Sequence, residues 1–151
     1  MRPIWNTVID EGIKPGLISS AAVAAVAGIR GGMELGIPMR PINGISHIVW
    51  GPQAGNAQTV SVKYTVVGLT LNAIACWFWA ALYRWGSRTA GTSSPEAVAG
   101  AAGIAALAYI TDYHVVPRRF TPGFELCLSR RSFPWLYAAL AAGLFLGSQR
   151  K

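Results

Sequence analysis

The hydrophobic residues of this chain are gathered into four long apolar blocks, which are separated by polar stretches containing glycine and proline. The blocks cover residues 15–35, 62–85, 95–116 and 132–148. A helix rises about 1.5 Å per residue and the hydrocarbon core of a bilayer is about 30 Å thick, so about 20 apolar residues suffice for one crossing. The pattern therefore predicts an all-α fold, a single membrane domain with four transmembrane helices and both termini on the same side.

The first and last blocks fit a simple crossing least well. In the first block Arg30 comes before the apolar run is long enough to span, and Glu34 follows one turn later. Either the helix continues to about Leu35 with an intramembrane ion pair, or it ends early and Arg30 extends to the headgroups. The last block is short and must include flanking residues or cross a thinner bilayer.

Residues 1–14 are amphipathic, as in a helix lying at the interface, with a frayed tail as the alternative.

Small residues at four-residue spacing predict close contacts between these helices, because they let two backbones approach each other. Two such stripes occur, at Ser20, Ala24, Gly28 and Gly32 in the first block and at Ala139, Gly143 and Gly147 in the last. Asn72 lies near the middle of the second block. Since the hydrocarbon offers no hydrogen bonds, we expect the Asn72 amide to find a partner on another helix.

The connection over residues 36–61 is the longest in the chain and contains several proline and glycine residues. It leaves one short apolar element at residues 42–50, which includes His47 and ends at Trp50. This element is too short to cross a bilayer, so we expect it to be interfacial or re-entrant. Trp50 would then lie at headgroup level, where tryptophan is enriched.

The composition favours lipid over nucleic acid as the partner of this chain. Hydrophobic residues make up 52% and charged residues only 13%, against about 25% charged residues in soluble domains. The net charge is +7, but the basic residues stand singly or in pairs beside the apolar blocks, unlike a nucleic-acid-binding strip. We therefore expect anionic membrane lipids as partners and no nucleic acid, with a homo-oligomer or a larger membrane complex left open. Lysine and arginine are too evenly divided between the two sides to decide the orientation.

With four crossings, the ends of the first and third blocks and the starts of the second and fourth lie on the same side. Most charged residues then share one polar face. The candidate site residues on this face are Arg30, Glu34, His47, Lys63, Asp112, His114, Arg118 and Arg119. Glu125, Arg130 and Arg131 are expected on the same face.

Two sharper functions are weighed for this face. His47 and His114 are the residues that would bind a metal, but Asp112 and His114 point about 200° apart on a helix, and no His-x-x-x-His pair is present. We therefore predict no metal site and no other cofactor. The other function is proton or ion transfer through Asp112, Glu34 and Arg30, because ionisable residues within a membrane often mark such pathways.

Catalysis is not indicated, since the sequence contains no nucleophile beside a base, no glycine-rich phosphate loop and no cofactor fingerprint. The favoured function is a small, non-enzymatic accessory or binding protein whose polar face contacts lipid headgroups or a partner subunit. A small transporter or proton-conducting component is the alternative. A metal- or quinone-dependent membrane enzyme is the third.

Two segments carry a resemblance to other proteins. At SHIVWG (residues 46–51) and TDYHVVPRRFTPGFE (residues 111–125), the chain resembles small inner-membrane proteins of proteobacteria whose function is unknown. The resemblance covers about half of the chain and includes no functional motif. It implies a location in a bacterial inner membrane and nothing about chemistry.

Overall fold

The computed structural model describes residues 4–89 and 94–149, and every regular element within them is helical. Its six α-helices are α1 (Ile4–Leu35), α2 (Met39–Ile45), α3 (His47–Trp50), α4 (Val67–Thr89), α5 (Ser94–Ile110) and α6 (Phe133–Ser148). Two π-helical turns, Val62–Val66 and Thr111–Val115, extend α4 at its start and α5 at its end. The all-α expectation is confirmed.

The long helix α1 lies between α4 and α6 and packs along both of them, while α5 packs mainly on α6. It starts at Ile4 and continues through Pro15, where we had expected the first block to begin. An interior proline lacks the N–H that would complete the helical bond of its turn. Contacts with α4 hold this turn, since the Trp77 indole N–H donates to the Ile9 carbonyl at 3.2 Å and Gly16 lies directly on the Trp77 backbone. The described part of residues 1–14 is therefore the first part of α1, and neither a separate interfacial helix nor a frayed tail.

Glycine permits the close approach of α6 to α1. A Cβ atom on Gly143 would collide with the Ser19 backbone, and one on Gly147 would collide with Pro15. At the same contact the Ser19 hydroxyl donates to the Leu140 carbonyl at 3.3 Å. The stripe predicted for the last block is confirmed here. In the first block Gly28 and Gly32 instead face Pro38, which follows the end of α1.

Two helical segments, Asn6–Leu35 and Val62–Ser87, are long and apolar enough to cross a membrane. The predicted bundle of four crossings is therefore seen only in part. Helix α5 is α-helical for 17 residues before the π-helical turn Thr111–Val115 continues it, and α6 has 16 residues. The described residues of both helices carry apolar or small side chains almost throughout.

The connection over residues 36–61 is folded around Asn43, which is fully buried. The Asn43 amide N–H groups donate to the carbonyls of Ala57 and Thr59 at 2.9 and 3.0 Å, and the Thr65 hydroxyl donates to its Oδ1 at 2.7 Å. One side chain thus ties α2 to the following loop and to the π-helical turn that leads into α4. The apolar element predicted at residues 42–50 consists of the end of α2 and all of α3.

The α1–α6 contact provides a test of the fold. We expect Gly143→Ala to lower the free energy of unfolding in detergent by about 1–3 kcal/mol, because the new methyl group must displace the Ser19 backbone. Gly103→Ala on α5 is the matched control, since a Cβ there meets nothing within 4 Å, and it should leave stability unchanged or raise it by up to about 1 kcal/mol, because alanine favours the helix over glycine. Equal effects in a denaturant titration would contradict this packing.

Candidate functional site

The residues predicted for the polar face lie at one end of the helix bundle, here called the polar end. It consists of the C-terminus of α1, the connection over residues 36–61, the start of the α4 segment, and the loop over residues 117–132 with its flanking helix ends. Hydrogen bonds join the two loops, because Arg119 Nε donates to the Ile48 carbonyl at 3.0 Å and the Cys127 thiol donates to the Gly55 carbonyl at 3.3 Å. At the opposite end Arg84 pairs with Glu11 at 3.0 Å.

Arg30 and Glu34 form an ion pair with a nitrogen-to-oxygen distance of 2.9 Å. The Glu34 carboxylate also accepts from the Ser129 backbone N–H at 2.8 Å, from the Ser129 hydroxyl at 3.1 Å and from the Ser132 hydroxyl. Arg30 Nε points to the Ser132 hydroxyl oxygen at 2.7 Å. Of the two alternatives for the first block, the helix therefore continues to Leu35, and the pair fixes the loop that leads into α6.

His47 is buried, and both ring nitrogens face backbone carbonyls. Nδ1 lies 3.0 Å from the Gly44 oxygen, and Nε2 lies 3.3 Å from the Arg118 oxygen. A neutral imidazole donates one of these bonds, whereas an imidazolium donates both. A metal could bind His47 only after one of these contacts had been broken, so His47 serves here to join α2 to the loop over residues 117–132.

Asp112 reaches across to α6, where it accepts a hydrogen bond from the Tyr137 hydroxyl at 2.6 Å. Tyr137 belongs to a cluster of rings with Tyr109, Tyr113 and Phe133, in which Tyr113 stacks on Phe133 at a centroid distance of 4.8 Å. The Tyr113 hydroxyl is buried and has no hydrogen-bond partner among the described residues. These contacts fix the C-terminal end of the α5 segment against the start of α6.

The second histidine, His114, is exposed, and its ring contacts the Tyr109 ring at a centroid distance of 5.6 Å. Over residues 4–89 and 94–149, no group of three His, Cys, Asp or Glu side chains is arranged to hold a metal ion. The two histidines thus have different surroundings: His47 contacts backbone carbonyls, and His114 contacts an aromatic ring.

The remaining predicted residues act on helix ends and rings. Arg119 also donates to the Val49 carbonyl at 3.3 Å and so caps the C-terminus of α3. The Lys63 ammonium lies over the rings of Trp50 and Tyr64, at 5.3 and 5.0 Å from their centroids. The Lys63 carbonyl accepts from the Trp50 indole N–H at 2.7 Å. Both cations are thus built into the local structure.

Asn72 is buried far from the polar end in the contact between α4 and α1. Its amide donates to the Ser20 carbonyl at 3.0 Å and to the Ser20 hydroxyl at 2.9 Å. The predicted interhelical partner is therefore confirmed. The contact leaves Asn72 only 6% exposed.

Several residues that organise the polar end were not predicted from the sequence. Arg40 donates to the Gly55 carbonyl at 2.6 Å and to Asn56 Oδ1 at 3.2 Å. The Arg40 carbonyl, 3.6 Å from the Cys127 sulfur, is a second acceptor within reach of the thiol hydrogen besides the Gly55 carbonyl. Burial raises the pKa of the Cys127 thiol, with Arg40 acting in the opposite direction, so the group stays a protonated donor. The one sequence signal for this group of residues was Asn43, a polar residue within the short apolar element at residues 42–50.

Three arginines of the polar end stay free of the internal bonding. Arg118, Arg130 and Arg131 are exposed, and none of their guanidinium groups bonds to a described residue. The acidic residues nearby are already engaged, since Glu34 binds Arg30, Asp112 binds Tyr137, and Glu125 accepts from the Thr121 hydroxyl. Seven lysine and arginine side chains at the polar end outnumber its three carboxylates, so this end presents a net positive charge.

The Glu34 cluster is testable by a double-mutant cycle. We expect Glu34→Gln and Ser132→Ala each to reduce stability, and the double variant to lose less than the sum, with a coupling of about 0.5–3 kcal/mol, because both changes remove the same bonds. Glu34→Gln combined with Glu11→Gln, in the ion pair at the opposite end, should be additive within about 0.5 kcal/mol. Chemical unfolding in detergent measures all the variants, and an additive Glu34/Ser132 pair would contradict the cluster.

Comparison with known proteins adds no family to this geometry. No protein-family model matches the sequence, and neither a curated protein nor a solved structure matches it significantly. The resemblance of residues 46–51 and 111–125 to small proteobacterial inner-membrane proteins therefore stays a prediction, and the function must be argued from the site alone.

Proposed function

We propose that this chain is an integral membrane protein of four crossing helices, and that it is a non-enzymatic binding protein whose polar end contacts anionic lipid headgroups. The observation that carries the proposal is the set of three exposed arginines, Arg118, Arg130 and Arg131, at an end whose carboxylates are all engaged. Their guanidinium groups are accessible to an external anion. At a membrane surface the phosphate of a lipid is the anion that is always present.

The outer surface of the bundle supports the membrane location. Large apolar side chains are exposed on every long helix, whereas soluble monomers rarely expose contiguous apolar surface of this kind. The most exposed include Leu17, Ile29 and Met33 on α1, Ile74 and Phe78 on α4, Val98, Leu107 and Ile110 on α5, and Trp135 and Leu146 on α6. Such an outer surface suits hydrocarbon, and the polar residues Ser19, Ser20 and Asn72 are buried between the helices.

The case for four crossings rests on continuity and on the loops. The α5 segment from Ser94 to Val115 is unbroken, because the π-helical turn continues the α-helix, and 22 residues reach about 33 Å. Its far end contacts the same loops as the C-terminus of α1 through His47 and Arg118. If the chain crosses in α1 and α4, it must therefore cross again in α5 to return to the polar end. It then crosses a fourth time in α6, because Gln149 after α6 lies near Lys14 at the opposite end.

The interior favours binding over conduction. A path for protons or ions across the bundle would need polar groups between the two ends, and Asn72 is the residue placed to provide one. The Asn72 amide N–H groups are already hydrogen-bonded to Ser20 on α1. Arg30 and Glu34 are bonded to each other and to the loop before α6. These side chains stabilise the bundle.

The four crossings can be tested with single cysteines in a Cys76→Ala, Cys127→Ala background. We expect Thr59→Cys and Arg131→Cys to react with a membrane-impermeant maleimide from one side of the membrane, and Asn6→Cys and Gln149→Cys from the other. All four positions are exposed. If only α1 and α4 crossed, Arg131→Cys would label with Asn6→Cys, and this pattern would overturn the four-helix topology.

Headgroup binding can be tested by the charge of Arg118. We expect phosphatidylglycerol to raise the unfolding temperature of the detergent-solubilised protein more than phosphatidylcholine does, and Arg118→Gln to weaken phosphatidylglycerol binding roughly fivefold, as expected for one basic residue at an anionic surface. Lys14→Gln is the matched control, because it removes the same charge at the opposite end, where Lys14 approaches the Gln149 carbonyl. Equal losses in the two variants would show that only net charge matters.

A further inference from the structure

A groove with a volume of about 410 Å³ lies between α5 and α6. Its sides are lined by small residues, namely Ala102, Ala105 and Ala106 on α5 and Ala138 and Ala141 on α6. Alanine cannot fill the space between two helices, so a smooth apolar channel stays open along them. From Phe133 to Ala141 it follows α6 for about 12 Å. On the proposed topology it faces the hydrocarbon of the bilayer.

Aromatic rings line the part of the groove nearest the polar end. Tyr109 and Tyr137 meet edge to face, with a centroid distance of 5.4 Å and an interplanar angle of 86°. The Tyr137 hydroxyl donates to Asp112 at 2.6 Å, so its hydrogen is already used. Phe133 completes this part of the lining. The groove therefore offers an occupant apolar surface over most of its length.

Arg130 also lines the groove, just before the start of α6. Its guanidinium is exposed and bonds to no described residue. An occupant that matches both parts must be amphiphilic, with an apolar chain beside the alanines and an anionic group at Arg130. An apolar helix of a second copy would fill the channel but leave Arg130 without a counterion.

We propose that the α5–α6 groove binds one acyl chain of an anionic phospholipid, whose phosphate pairs with Arg130. This inference rests on the proposed membrane location and headgroup contact, and it adds a specific site to the general attraction of the polar end. The lipid chain lies against Ala105 and Ala138, and Arg130 selects for the negative headgroup. The site should therefore hold a single lipid more tightly than the lipids around the bundle.

Native mass spectrometry in mild detergent, with phosphatidylglycerol or phosphatidylcholine added stepwise, tests the site. The wild-type protein should retain one phosphatidylglycerol that phosphatidylcholine does not displace. Ala138→Leu should weaken this first binding event about tenfold, because the larger side chain fills the groove. Ala142→Leu is the control, as Ala142 is exposed on the same helix but does not line the groove. Arg130→Gln should abolish the preference for phosphatidylglycerol while phosphatidylcholine binding persists.

The outcomes separate this site from the general function. If Ala138→Leu and Ala142→Leu bind the first lipid equally well while Arg118→Gln still weakens binding, the groove is not the site and headgroup contact stands. If phosphatidylglycerol shows no preference in any variant, both proposals fail. Dimers that disappear in Ala138→Leu would overturn the lipid in favour of a second copy. Ala106→Leu fills the groove from the opposite wall, so a folding defect of Ala138→Leu, seen in its unfolding temperature, leaves the test intact.

Discussion

The close contact of α1 with the two helices on either side of it is the constraint on which the rest of the structure depends. Gly16 lies on the Trp77 backbone of α4, and Gly143 lies on the Ser19 backbone of α6. In the proposed membrane location no hydrophobic force drives helices together, so such contacts would stabilise through dispersion and through hydrogen bonds such as that from Asn72 to Ser20. These contacts also fix the position of α6 along the axis of α1. Pro15 is held inside a continuous helix by the same packing.

The polar end follows from that arrangement. Because α1 and α6 are locked together, the C-terminus of α1 lies beside the loop that leads into α6, and Glu34 can accept from both Ser129 and Ser132. Asp112 and His47 likewise join separate segments. Most polar side chains that looked functional in the sequence thus hold the structure together. What remains available is the positive charge of Arg118, Arg130 and Arg131, which points to binding of an anion.

The groove between α5 and α6 lies where both helices present alanine side chains. Helix α5 buries only a narrow stripe of alanines, Ala101, Ala105 and Ala108, and the rest of its surface is open. Alanines form the two walls of the groove, and the rings of Tyr109, Phe133 and Tyr137 line it together with Arg130. The same ring cluster includes Tyr137, which donates to Asp112.

The sequence alone determined the helical class, the four apolar blocks and the interhelical role of Asn72, because hydrophobic periodicity and the demand for buried hydrogen bonds act locally. The grouping of charged residues at one end also followed, since helices that alternate in direction place these segments together. Tertiary structure decided which groups the polar side chains bond to. Asp112 bonds to Tyr137, Glu34 to Ser129 and Ser132, and His47 to two backbone carbonyls. These pairings depend on helix rotation and on the path of the loops, which are set by contacts between residues far apart in the chain. The start of α1 at Ile4 was decided in the same way, because packing against α4 and α6 outweighs the local cost of Pro15.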